Sequence, residues 1–123
     1  MNVKDTIGLL KSEKASALMA ELYGKEGAAE NETRYEKVLT GFEQTFGDRE
    51  NILLFSSPGR TEISGNHTDH NHGKVLAGSI NLDCVGVAAK NQSDKVNIIS
   101  ETFNQRFTVD LNYLEPSEKK AGT

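Results

Sequence analysis

Apolar positions in the first half of the chain follow a helical period. One stripe recurs at i, i+3, i+4, i+7 and i+11, as on one face of an amphipathic helix: Tyr35, Val38, Leu39, Phe42 and Phe46. A thinner stripe runs from Asp5 to Leu22, and the segment GKEGAAENE that follows it predicts a connector because it holds two glycines. We therefore predict two helices, the second capped at Asn31 and ended by Gly47 in a left-handed conformation.

The second half changes to short apolar runs of strand length. NILLFSS predicts a strand stopped by Pro58-Gly59, and INLDCVGVAAK predicts a largely buried strand in which Cys84 is a small buried hydrophobe. KVNIIS and QRFTVDL predict two more strands, and Asn91 to Asp94 predict a turn. Three strands joined by short turns favour an antiparallel meander. Helices followed by a mostly antiparallel sheet indicate the α+β class.

Length and composition narrow the classes of protein to consider. The 123 residues suffice for one compact domain, expected over residues 1–114 and followed by a polar tail at 115–123. A net charge of −4 without a basic run argues against nucleic-acid binding. Apolar runs are too short for a bilayer or a signal peptide, and Cys84 is a lone cysteine. We therefore expect a soluble cytoplasmic protein with no nucleic-acid or membrane partner.

All three histidines cluster in one stretch, GRTEISGNHTDHNHGKVL. His67, His70 and His72 lie close to Asp69, so the residue types suit zinc. A catalytic zinc, however, usually draws ligands from separated elements, and no other histidine exists. A solvated polar turn is the second interpretation. It does not explain the glycines that punctuate the stretch, which allow left-handed backbone or close approach to a ligand: Gly59, Gly65 and Gly73.

A polyhydroxylated ligand is the third interpretation of the stretch. Arg60 offers a cationic fork, Asp69 can accept two hydroxyl hydrogen bonds, and Asn66 and His67 can each donate or accept. Adjacent hydroxyl groups need such partners at fixed spacing. The residue types alone leave all three interpretations open.

The same residues resemble the first signature of the galactokinases, in the GHMP superfamily of sugar and metabolite kinases. That signature reads approximately Pro-Gly-Arg-Val-Asn-Leu-Ile-Gly-Glu-His-Thr-Asp-Tyr-Asn-Gly-Gly. Nine positions match in register without a gap: Pro58, Gly59, Arg60, Gly65, His67, Thr68, Asp69, Asn71 and Gly73. The resemblance extends over Val38 to Leu114. It implies the incomplete N-terminal domain of a GHMP-kinase fold, also described as ribosomal protein S5 domain 2-like.

The resemblance implies a kinase that moves the γ-phosphoryl group of ATP to the anomeric hydroxyl of galactose or a related sugar, with Mg²⁺. It implies that Asp69 binds two sugar hydroxyls, that His67 contacts the sugar nearby, and that Arg60 lies beside the reacting hydroxyl as a catalytic residue. Phosphoryl transfer depends mainly on positioning and on countering charge, so an arginine there is physically reasonable.

Three positions depart from the family pattern. The family glutamate is Asn66, its tyrosine is His70, and one of its glycines is His72. The glutamate normally meets the sugar near its C6 hydroxyl, and Asn66 replaces its charge with two hydrogen-bond donors. The preferred sugar is therefore predicted to carry an acidic or altered C6 group.

The family's Gly-Leu-Ser-Ser-Ser phosphate-binding segment does not occur in these 123 residues. We expect the chain to be the N-terminal third of a longer enzyme, inactive alone, with the ATP and Mg²⁺ sites and the catalytic aspartate elsewhere. Asp83 and Asp94 are interpreted as strand-edge and turn residues without a catalytic role. A non-catalytic sugar sensor and a metal-dependent hydrolase remain alternatives. Uncovered strand edges would favour self-association.

Overall fold

Two α-helices precede four β-strands in the computed structural model, which describes residues 1–65 and 71–114. The elements, in chain order, are α1 (Val3–Leu10), α2 (Glu13–Phe46), β1 (Leu53–Ser64), β2 (Leu76–Ala88), β3 (Lys95–Ser100) and β4 (Gln105–Asp110). The α+β class predicted from the sequence is confirmed. The chain forms two compact units, Met1–Ala89 and a second that begins at Lys90. Within the described ranges, no helix combines the length and apolarity that crossing a bilayer requires.

Side chains cap both helices at their start. Asn2 and Asp5 form a reciprocal capping box at α1, and the Ser12 hydroxyl accepts a hydrogen bond from the Ala15 amide at the start of α2. At the other end, Gly47 has φ 76° and its amide donates to the Glu43 carbonyl at 2.8 Å. The predicted left-handed end at Gly47 is confirmed.

The predicted connector is confirmed only at its first residue. Two helical segments of α2 meet at a kink at Gly24, with φ 78° and ψ 160°, and the rest of GKEGAAENE is helical. The residues after Gly24 are mostly alanine, glutamate and lysine, which favour helix, so a single glycine absorbs the whole change of direction. Asn31 is therefore not a cap. It lies inside α2, where its amide nitrogen donates to the Gly27 carbonyl at 3.0 Å.

The core of the first unit uses the predicted apolar face of α2. Tyr35 and Leu39 are buried, and the rings of Phe42 and Phe46 pack with centroids 5.2 Å apart. In the thinner N-terminal stripe, by contrast, Leu18 is half exposed. The core is completed by residues from both helices and the start of the sheet: Val3, Leu10, Met19 and Ile52.

β1 and β2 form an antiparallel hairpin, and the Pro58-Gly59 pair does not stop β1 as predicted. Pro58 pairs with Asp83 inside the hairpin, and the next regular pair is Arg60 with Ser79. Gly59 alone on β1 therefore lies opposite residues 80–82 on β2, which form a bulge. The Pro-Gly pair interrupts the register of the sheet and not the strand itself.

The predicted burial of β2 is also wrong in part. Val85, Val87 and Ala89 pack against the helical core, whereas alternate residues lie on the opposite face of the strand. Cys84 belongs to that opposite face and is exposed, so it is not the buried hydrophobe predicted. Within residues 1–65 and 71–89, the helices of the first unit cover one side of this two-stranded sheet, and Cys84 lies on the other.

The second unit contains an antiparallel β3–β4 hairpin with regular register from Lys95–Asp110 to Ser100–Gln105. The turn predicted before it is confirmed: Gln92 has φ 55°, and the Asn91 side chain accepts from the Ser93 amide and donates to the Lys95 carbonyl. Asp94 is a turn residue, as predicted, and its carbonyl accepts from the Leu111 amide at 2.8 Å. The described strands form two two-stranded sheets in place of the predicted meander.

Candidate functional site

The β1–β2 hairpin carries the stretch singled out in the sequence. β1 ends at Ser64, which pairs with Leu76 at the start of β2, so the two ends of the connecting loop lie side by side. Asn66, His67 and Asp69 lie in that loop, outside the described residues. Their predicted convergence with Arg60 on one ligand therefore stays a prediction.

Arg60 is the one predicted site residue among those the structure describes. It lies on β1 opposite Ser79, directly after the bulge, and its side chain is exposed. In the part of the chain that the structure describes, no carboxylate forms an ion pair with it. Its guanidinium group can therefore meet a ligand without first breaking an internal ion pair.

Gly65 occupies the junction between β1 and the loop. Its φ is +111°, and a Cβ placed there would lie 2.7 Å from the Lys74 carbonyl oxygen and from Val75. Backbone angles and close packing both require glycine at this point. The predicted conformational role of Gly65 is confirmed.

His72 lies near the other end of the loop in a left-handed conformation, with φ 61°. This is the position at which the family pattern has glycine. Residues with a side chain seldom adopt such angles, although asparagine, aspartate and histidine do so more often than the others. The backbone here keeps the conformation that suits glycine although the residue is histidine.

Asp83 is the centre of a hydrogen-bonded cluster on the helix side of the hairpin. Its side chain is 3% exposed and receives three donors on its carboxylate. The Arg34 guanidinium donates at 2.5 Å, the Tyr23 hydroxyl donates at 2.5 Å, and the Ser56 hydroxyl also donates. The same Arg34 nitrogen donates to the Asp83 backbone carbonyl at 2.7 Å. The interpretation of Asp83 as a strand-edge residue is wrong, because it lies inside β2 and joins three elements.

The cluster keeps Asp83 charged. Burial alone would raise the pKa of Asp83, but the hydrogen bonds from Ser56, Tyr23 and Arg34 and the charge of Arg34 hold that pKa below its usual value. Burial, and then the hydrogen bond to Asp83, raise the pKa of the Tyr23 hydroxyl, so it remains a donor. A second hydrogen bond joins the Tyr23 and Tyr35 hydroxyls at 2.8 Å. The charged carboxylate of Asp83 thus accepts hydrogen bonds from groups that remain protonated.

A cleft of about 480 Å³ lies beside the cluster, between α2 and the bulge of β2. Tyr23, Arg34 and Lys37 line it from the helix, and Asn81 and Leu82 line it from the bulge. This open side explains why Arg34 is 36% exposed although its partner carboxylate is almost fully buried.

The structure leaves the zinc interpretation open. Within residues 1–65 and 71–114, no group of three or more histidine, cysteine, aspartate or glutamate side chains could hold a metal ion. Of the three clustered histidines, only His72 belongs to these ranges.

Comparison with known proteins points to one family. A family model described as the galactokinase galactose-binding signature matches residues 40–90, which include β1, β2 and the loop between them. A galactokinase of Lactococcus lactis subsp. lactis (strain IL1403) is 36% identical over 93 residues, which cover 76% of this chain and 23% of the relative.

Galactokinases from other bacteria match over shorter stretches. That of Enterococcus faecalis (strain ATCC 700802 / V583) is 34% identical over 70 residues, covering 57% of this chain and 18% of the relative. That of Bacillus subtilis (strain 168) is 31% identical over 62 residues, covering 50% and 16%. No solved structure gives a significant match. This chain spans less than a quarter of the length of these relatives, the largest share being 23%. The predicted resemblance is confirmed: residues 40–90 match the galactose-binding signature, and most of the chain is similar to a segment of a bacterial galactokinase.

Proposed function

We propose that this chain forms the sugar-binding part of an ATP-dependent kinase that phosphorylates the anomeric hydroxyl of galactose or a related sugar. The match of the galactose-binding signature to residues 40–90 is the observation that carries the proposal. The matched residues include a two-stranded hairpin braced against α2 by the cluster around Asp83, and such a scaffold can hold a binding loop in one geometry.

Arg60 is the proposed catalytic residue. An exposed guanidinium group at the base of the signature loop, without an internal ion pair among the described residues, supports this role. Its fixed charge would lie beside the reacting sugar hydroxyl and counter the negative charge that develops during phosphoryl transfer.

Asn66, His67 and Asp69 are the proposed sugar-binding residues, together with Arg60. A carboxylate can accept hydrogen bonds from two adjacent hydroxyl groups, and an amide or imidazole can donate to or accept from a third. The close approach of Ser64 and Leu76 supports this assignment, because it confines the loop that carries the three residues.

The residues present do not fit ATP or Mg²⁺. In each helix one amide of the first turn already donates to the cap side chain, Asn2 or Ser12, and neither helix follows a glycine-rich loop. The described residues also contain no metal-binding cluster. We therefore assign no step of phosphoryl transfer to a nucleotide or metal held by this segment.

Asn66 is the proposed determinant of sugar preference. It replaces the glutamate that the family pattern has near the sugar C6, so it removes one negative charge and adds two donors. A sugar with a carboxylate or another acceptor at C6 would meet less repulsion and a better partner there.

Sugar titration of the chain, followed by two-dimensional NMR of backbone amides, tests the proposal. We expect galactose or galacturonate to shift signals of the signature loop and of Arg60, and glucose, the C4 epimer of galactose, to shift them much less. Asp69→Asn should abolish the shifts. Asp94→Asn is the matched control, because it removes the same charge from a turn in the second unit and should leave binding unchanged.

The outcomes separate the proposal from its alternatives. Absence of binding by all three sugars would overturn the sugar-binding assignment. Tight one-to-one zinc binding that is lost on substitution of His67 would favour the hydrolase interpretation instead. Asn66→Glu should shift the preference from galacturonate toward galactose, and a clear preference of the unmodified chain for galactose would refute the assignment of Asn66.

A further inference from the structure

The cluster around Asp83 joins parts of the chain that the sequence keeps far apart. Tyr23 lies directly before the Gly24 break in α2, and Arg34 lies after it, so both helical segments hydrogen-bond to the same carboxylate. Ser56 adds β1 to this junction, and Asp83 itself belongs to β2. One carboxylate thus fixes both segments of α2 relative to both strands of the hairpin.

The junction lies immediately before the bulge that sets the position of Arg60. Asp83 and Pro58 form the last regular pair on one side of the bulge, and Arg60 and Ser79 form the first on the other. The register differs by two residues between these pairs, so both strands keep their faces across the bulge while the partner of Arg60 on β2 changes. The part of β2 that lies beside Arg60 therefore depends on where the bulge occurs.

Two of the three residues in the bulge are exposed. Gly59 approaches it closely, since a Cβ on Gly59 would lie 3.1 Å from the Leu82 carbonyl oxygen, but Asn81 and Leu82 are exposed. Asp83, next in the chain after Leu82, is by contrast almost fully buried and receives hydrogen bonds from three side chains. The anchored residue beside the bulge is Asp83.

We propose that Asp83 is a positioning residue of the sugar site: by binding Tyr23, Arg34 and Ser56, it fixes the bulge and thereby holds Arg60 in its place on the hairpin for contact with the sugar. This role rests on the proposed function only in its last step, the contact between Arg60 and the sugar. The control of strand register by Asp83 stands independently of it.

Sugar affinity of the folded chain tests the last step. Asp83→Asn keeps the size of the side chain and removes its charge. We expect it to weaken binding of the preferred sugar about tenfold or more, because small displacements of a positioned group have large effects. Glu36→Gln is the control: it removes one carboxylate charge from an exposed pair with Lys11 at 3.3 Å and should leave the affinity unchanged.

A double-mutant cycle separates positioning from general support of the fold. If Asp83 acts through Arg60, Asp83→Asn should cost affinity in the unmodified chain and almost none when Arg60→Ala is already present. Additive losses, or an unchanged affinity of Asp83→Asn, would overturn the proposed role.

Cross-strand contacts measured by NMR test whether Asp83 controls the strand register, and this test does not require that a sugar binds. We expect Asp83→Asn to lose the backbone contacts between Arg60 and Ser79 and to keep those between Leu54 and Val87. Retention of all these contacts would refute control of register by Asp83. Failure of the unmodified chain to bind sugar would count against the proposed function alone. If Asp83→Asn does not fold, Ser56→Ala replaces it, because that variant removes only the hydrogen bond to β1.

Discussion

Glycine at position 65 is required twice over, by its backbone angle and by its neighbours. With φ +111° and backbone atoms 2.7 Å from a would-be Cβ, alanine fits only if Lys74 and Val75 move. We therefore expect Gly65→Ala to lower the free energy of unfolding by about 1–3 kcal/mol, the usual cost of such strained backbone. Urea denaturation followed by circular dichroism measures this change.

Gly78→Ala is the matched control for that experiment. Gly78 lies in β2 of the same hairpin, has no positive φ, and would place its Cβ 3.8 Å from an Ile63 methyl group, which is ordinary contact. Its unfolding free energy should change by less than about 1 kcal/mol. Equal losses for the two variants would contradict the special role of Gly65.

Residues that act through local geometry were predictable from the sequence, and residues that act through distant partners were not. Gly47 and Gly65 stand at the ends of periodic segments, where glycine has a clear conformational use. Asp83 looked ordinary because its partners Arg34 and Tyr23 are 49 and 60 positions away. No local pattern in the sequence indicates a carboxylate whose hydrogen-bond donors lie so far away along the chain.

At the scale of elements, the buried carboxylate of Asp83 joins α2 to the hairpin and makes the free energy of unfolding depend on pH. Its pKa in the folded chain is held below the usual value of about 3.9. Its stabilising contribution is therefore fully present above about pH 4 and is lost as the pH falls through the lower folded-state value. At pH 7, Asp83→Asn should lower the unfolding free energy by about 1–3 kcal/mol, because the donors on Asp83 lose a charged acceptor.

The sign of the pH effect makes this prediction specific. Urea denaturation at pH 7 and at about pH 3 should show the difference between the unmodified chain and Asp83→Asn shrinking as the pH falls. Glu36→Gln removes an exposed ion pair and should cost less than about 1 kcal/mol at either pH. If the difference in unfolding free energy between the unmodified chain and Asp83→Asn stays constant with pH, the charge of Asp83 is not the cause of the stabilisation.

Two boundaries were mispredicted at the scale of elements, and both errors have the same origin. Glycine at position 24 and the Pro58-Gly59 pair are strong signals for the end of an element. In the structure, α2 resumes after Gly24 and β1 passes through Pro58-Gly59 at the expense of a bulge. At Gly24, the cluster around Asp83 binds both sides of the interruption through Tyr23 and Arg34, and beyond Pro58-Gly59 the pairing of β1 with β2 resumes at Arg60 and Ser79. A single sequence does not reveal these tertiary contacts.

At the scale of the whole molecule, the main consequence of the fold is a face of the β1–β2 hairpin that is exposed among the described residues. Leu53 and Phe55 are 69% and 49% exposed, and Cys84 is exposed as well. Such an apolar surface favours association. The alternation of side chains along β2 explains why a cysteine within an apolar run is accessible.

Cys84 therefore reports on whether this face is covered. We expect Cys84 of the folded chain to react with a disulfide reagent such as Ellman's reagent when the protein is dilute. The reaction rate should lie within about tenfold of the rate in urea, because packing does not shield an accessible thiol. The rate should fall as the protein concentration rises, since self-association through the apolar face would cover the thiol. Sedimentation velocity on the same samples measures the association. A thiol protected at every concentration would contradict the exposed face, and a rate independent of concentration would contradict association through it.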